Sequence, residues 1–173
     1  MTDEQQRIRG YLVAQAAKLA PREIVEKVQV AMLQLKAAAG AVPPVAFDVT
    51  PAPGEWSANE VMAHVVESSR HFGGAIVRLL DGQAPGVPRD AAARDVTPRP
   101  LATWWALLER DRATVFERVL AAEPTARLDA TVEHPFFGPL NWRETLLFIR
   151  LHDLDHAGQL QKIAAAVAPA RSA

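Results

Sequence analysis

The sequence predicts an all-α protein: a bundle of four long helices with an extra helical segment at its N-terminus. Three observations lead there. Apolar residues recur at helical spacing through most of the chain, and the β-branched alternation that marks strands is scarce. Two N-cap signatures, Ser57-x-x-Glu60 and Asn141-x-x-Glu144, each open a periodic stretch. Pro- and Gly-rich stretches separate the periodic ones. A chain of 173 residues is expected to form a single domain over 1–173, long enough to bury a core.

The first helical segment runs from about Glu4 to Ala20, with Ile8, Tyr11, Leu12, Gln15 and Leu19 in register. Pro21 suits the first turn of a second segment, because its missing N–H costs nothing there. Ile24, Val28, Ala31, Met32 and Leu35 give that segment one apolar stripe, and Gly40 is its expected stop. The two segments could be one kinked helix or two. Residues 1–20 form the N-terminal extension. From Ala41 to Glu55 the Pro-rich chain is a connection. Ser57 then caps a helix carrying Val61, His64, Val65, Ser68, Phe72 and Ile76, which ends near Asp81-Gly82. Residues 82–100 form a long loop. The next helix runs from about Pro100 to Ala122. Leu101, Trp104, Leu108, Val115 and Val119 give it an apolar side. Its charges Glu109, Arg110, Asp111, Arg112, Glu117 and Arg118 are expected in solvent. His134 to Pro139 reads as an irregular loop, where His134 is expected to pack or lie at the surface. Asn141 caps the last helix, which ends near Val167. Trp56, Trp104, Trp105 and Trp142 are expected to pack core or loops.

Composition removes several functions. There is no cysteine, so thiolate metal sites, iron–sulfur clusters and cysteine nucleophiles are out. Nineteen basic residues against 20 acidic ones leave a net charge of -1, so no nucleic-acid partner is expected. No apolar stretch approaches the roughly 20 residues needed to span a bilayer, so no membrane partner is expected. The start Met-Thr-Asp-Glu lacks the pattern of a secretory signal, and a cytoplasmic location is the expectation.

The sharpest chemical feature is His152-Asp153-Leu154-Asp155-His156 in the last helix. Histidines at i and i+4 lie about 40° apart around a helix, so both imidazoles can face one metal ion. Thr145 and Ile163 fall on the same line, and Gln159 within about 40° of it, so that face looks inward. The zincin pattern H-E-x-x-H does not fit: Asp153 stands where its glutamate would be, and no His, Asp or Glu follows His156. The Glu-x-x-His pairs of di-iron bundles are absent. A third ligand must come from upstream, from His64, His71 or His134. His64 and His71 are about 10 Å apart along one helix, too far to share an ion.

Two blocks carry a family resemblance. Trp56-Ser57-x-x-Glu60-x-x-x-His64 resembles the start of helix two in the DinB/YfiT-like superfamily. His134-Pro135-Phe136-Phe137-Gly138-Pro139-Leu140-Asn141-Trp142-Arg143-Glu144, followed by His152-Asp153-x-x-His156-x-x-Gln159, looks like that family's fourth-helix signature. The resemblance covers roughly Val25 to Val167. It implies a DinB-like four-helix bundle with a long crossover connection, often a homodimer. It also implies a divalent metal held by His64, His152 and His156. Zinc is the commonest fit to three imidazoles; nickel, iron and manganese suit the same ligands. Gln159, Ser68 and Thr145 are expected to line the pocket. Asp153, Asp155, Glu60 and Glu67 are candidates to orient the imidazoles, although Glu60 has a rival task in the capping box. The family's assigned activities imply a metal that activates water or a low-molecular-weight thiol against a small electrophilic substrate, as a hydrolase or thiol S-transferase. No catalytic base is visible. The alternative is a metal-binding stress-response bundle without turnover, acting through dimerisation or a partner, with its metal sphere closed by a further side chain.

Overall fold

The computed structural model describes residues 1–86 and 95–168. Residues 87–94 of the expected loop lie outside the described residues. The elements are helices α1 (Asp3–Lys18), α2 (Pro21–Gly40), α3 (Ala58–Leu80) and α4 (Leu101–Leu120), strands β1 (Val132–His134) and β2 (Gly138–Leu140), and helix α5 (Trp142–Val167). A single 3-10 turn, Pro44–Ala46, lies between α2 and α3.

The first two segments are separate helices. Leu19 and Ala20 are extended, as residues before a proline tend to be, and Pro21 opens α2. The Ala20 N–H donates to Glu23 Oε2 at 2.7 Å, which supplies the bond that Ala20 has no side chain to reciprocate. Both expected capping boxes are formed. The Glu60 N–H donates to Ser57 Oγ while Glu60 Oε2 accepts from the Ser57 N–H. Asn141 and Glu144 do the same for α5.

Helices α2 to α5 form a ring in which α2 packs on α5, α5 on α3, α3 on α4 and α4 on α2. Chain neighbours α2 and α3 therefore stand on one diagonal, and α4 and α5 on the other. Helix α1 lies against α5, burying Leu12 and Ala16. The core runs through the ring with Leu35, Val61, Met62, Leu108, Trp142, Leu146 and Leu160 all out of solvent. At Gly73 a Cβ would come within 2.8 Å of Val115 Cγ2, so this glycine lets α3 and α4 approach closely.

Two expectations need correction. The stretch from His134 to Pro139 is an ordered hairpin rather than an irregular loop: Val132 pairs with Leu140, Glu133 with Pro139 and His134 with Gly138. Gly138 has a φ of 69°, the left-handed conformation that three-residue hairpin loops commonly require. Arg112 is not in solvent; it is 1% exposed. It sits one turn after Leu108 and one turn before Val115 and Phe116, all buried. Its guanidinium crosses the α4–α5 diagonal. Nη2 donates to Asp153 Oδ1 at 2.9 Å, and Nε donates to Ser69 Oγ of α3 at 2.7 Å.

Asn59 holds the connection before α4. Its Nδ2 donates to the Val96 carbonyl at 2.8 Å, and its Oδ1 accepts from the Arg99 N–H and the Trp104 indole N–H. Trp142 donates to the Ala126 carbonyl, and Arg143 to the carbonyls of Pro124 and Leu19. The N-terminus of α5 thereby anchors both the segment before β1 and the junction between α1 and α2.

Candidate metal centre and its cavity

His64 projects from the second turn of α3, and His152 and His156 from successive turns of α5. The three are brought together although 88 residues separate His64 from His152. His64 Nε2 lies 2.9 Å from His152 Nε2, which lies 3.2 Å from His156 Nε2. Each offers one ring nitrogen, and all three nitrogens lie within 4.8 Å of one another. Two nitrogens bound tetrahedrally at 2.0–2.1 Å to one zinc ion stand about 3.3 Å apart, close to the two spacings made by His152.

The protonation pattern favours a cation. His156 Nδ1 is 2.8 Å from Gln159 Oε1. A glutamine oxygen only accepts, so His156 donates from Nδ1 and, as a neutral ring, keeps its Nε2 lone pair for the centre. A single cation among the three nitrogens would accept a lone pair from each. The donor set fits a divalent ion of the borderline class. Among the described residues no fourth His, Asp or Glu joins this group, which leaves room in its coordination sphere.

The other expected site residues divide. Ser68 is buried at the wall of the cavity beside the histidines. Gln159 orients His156 and lines a second, smaller cavity of about 430 Å³. Thr145 lines neither cavity. It is seven residues before His152, about 10 Å down the helix, and its hydroxyl donates to the Asn141 carbonyl at 2.8 Å. Glu60 is engaged at the helix cap. Asp153 accepts its hydrogen bond from Arg112 and makes none to the histidines among the described residues. Burial pushes its carboxyl above the usual carboxylate range, against the pull of Arg112. Asp155 is exposed at the cavity edge.

The cavity has a volume of about 1480 Å³ and reaches the exposed faces of His64 and His152. One side is aromatic, built from Phe72, Phe148 and the β1–β2 hairpin with Phe136 and Phe137. Met1 and Ile8 complete the lining from the N-terminal segment. Trp56 stands at the centre: its ring centroid is 5.1 Å from that of His64 and 6.4 Å from that of His156, nearly parallel to the latter. It borders both cavities.

Two contributors escaped the sequence reading. Trp56 was expected to pack, yet it flanks the histidines; its place just before the Ser57 cap, two turns from His64, is the signal. His134 is 4% exposed and forms part of the cavity wall. The alternation Val132-Glu133-His134, buried-exposed-buried, marks it as an inward strand position. Burial, aided by the nearby His71, pushes its imidazole down to about 4.

The comparisons agree with this architecture. Comparison with curated proteins gives no match. A crystal structure described as TT2238, a four-helix bundle protein, superposes with a TM-score of 0.64 at 26% identity, covering 82% of this chain and 98% of that one. The profile of the DinB superfamily matches residues 29–160, beginning within α2 and ending beyond the last of the three histidines. With that match over most of its length, the chain belongs to the DinB superfamily.

Proposed function

We propose that this protein is a metal-dependent enzyme acting on a small electrophilic molecule. The observation that carries this reading is the meeting of three Nε2 atoms beside a large cavity that His64 and His152 line, with no fourth His, Asp or Glu in the group among the described residues. A divalent ion held by neutral imidazoles keeps its full charge and supplies activation of water or of a low-molecular-weight thiol. Zinc is the commonest fit; nickel, iron and manganese remain within the ligand chemistry. The chain's own residues supply the rest. His64, His152 and His156 hold the ion, Gln159 fixes the His156 tautomer, and Trp56 packs beside His64. With no cysteine, the protein brings no thiol of its own, so a thiol nucleophile must bind as a separate small molecule. The non-catalytic alternative calls for a closed metal sphere, and the open cavity favours turnover. A homodimer belongs to the same reading.

Metal analysis of the purified protein tests the foundation. About one equivalent of a divalent metal is expected per chain, and His64→Ala or His152→Ala should reduce it to a small fraction. Native protein that stays metal-free after zinc is added and excess removed would overturn the reading. Hydrolysis and thiol-transfer assays on the loaded protein then decide between turnover and binding alone.

A further inference from the structure

Resting on that reading of the site, we propose that the cavity beside the histidines is a slot for a flat, uncharged aromatic group bearing a hydrogen-bond acceptor, which His134 orients through its Nε2–H. Three independent observations lead to this chemistry.

The first is the wall. The His134 ring lies nearly parallel to Phe137, with centroids 4.6 Å apart, and to Phe72 at 5.2 Å. Phe148 meets it edge-on at 4.2 Å, and the Phe148 ring is 5.6 Å from that of His152. A continuous aromatic surface therefore leads to the metal centre. Phe136, at the hairpin tip, lines the same cavity and is 59% exposed. Offset stacking and edge-to-face contacts with such walls favour flat rings over puckered ones of equal size.

The second is the hydrogen-bonding state of His134. Its Nδ1 accepts the Phe136 backbone N–H at 3.2 Å, so that nitrogen carries no proton. The ring is neutral, held so by burial. Its one proton is then on Nε2. Among the described residues Nε2 has no hydrogen-bond partner, and it is not among the polar atoms sealed from solvent. It is a donor without an acceptor among the described residues, on a residue of a largely apolar wall, and ligand cavities fix orientation with such isolated polar groups.

The third is charge. The charged side chains lining the cavity are the carboxylates of Glu133 and Asp155, and no Lys or Arg lines it among the described residues. An anionic group away from the metal would meet two carboxylates there and no Lys or Arg side chain. A neutral acceptor such as a carbonyl oxygen suits the donor better.

The test uses benzamide, which has a flat ring and a neutral carbonyl, against cyclohexanecarboxamide, which keeps the carbonyl on a puckered ring. Binding to zinc-loaded protein is read by calorimetry and by the imidazole ¹⁵N resonances. Benzamide should bind with a Kd of about 1 mM or tighter. The cyclohexane analogue should be several-fold weaker, and the His134 Nε2 resonance should shift with benzamide. His134→Phe keeps the flat ring and removes the donor. It should weaken benzamide about tenfold and leave zinc content unchanged. Phe137→Leu keeps the donor and breaks the stack, and should also weaken benzamide; it serves if His134→Phe does not fold. Equal affinity for the two carboxamides, or no loss in a folded His134→Phe, would overturn the proposal. So would zinc-loaded protein that binds no benzamide, an outcome that leaves the metal centre standing. Protein that binds benzamide but no zinc would overturn the metal centre instead.

Discussion

The centre depends on which nitrogen of each imidazole carries its proton, and for His156 a single amide decides it. Gln159 Oε1 holds the Nδ1 proton, so Nε2 faces its two neighbours with a lone pair. Gln159→Leu removes that bias without touching a ligand. Metal affinity should fall about tenfold or more, measured by competition with a chromophoric chelator. His134 shows a different use of the same side chain. Its folded value of about 4 lies below the ordinary 6.5, so the unfolded chain binds more protons between those two values. Its neutral form therefore contributes stability that is fully present above about pH 6.5 and is lost as the pH falls toward 4. In metal-free protein, urea midpoints should drop over that window, and the drop should be smaller in His134→Phe. Residues of this kind are partly legible. The i, i+4 pair and Gln159 announce themselves by spacing. His134 does not, because its partner Phe72 is 62 residues away and only the hairpin brings them together.

Among the elements, the link from Ser69 through Arg112 to Asp153 joins α3, α4 and α5 in the interior. Asp153 directly follows His152, so this link also fixes the helix that presents His152 and His156. Arg112→Met alone strands a buried carboxyl and should cost about 3–5 kcal/mol of stability in urea unfolding. Arg112→Met combined with Asp153→Leu should recover most of that loss, because an apolar pair carries no desolvation cost. The charge run around Arg112 points to solvent when read as composition. The helical register of Leu108, Arg112 and Val115 points inward, and here the register decides. The helix starts were readable for the opposite reason: a capping box is complete within four residues, so nothing distant can change it. The hairpin was less so, since its two three-residue strands and Pro139 give little periodic signal.

On the scale of the whole molecule, the ring order of the bundle sets a condition on how it can assemble. Helix α5 packs against α1, α2 and α3, and Arg112 reaches it from α4. It follows all four of those helices in the chain. As the polypeptide leaves the ribosome, α1, α2 and α3 emerge before α5, the helix that all three pack against, exists. The nascent chain can form local turns and the α3–α4 pair, but its core closes only when residues 142–167 are free of the exit tunnel. His152 and His156 lie in that same stretch, so the three histidines can meet only as the core closes.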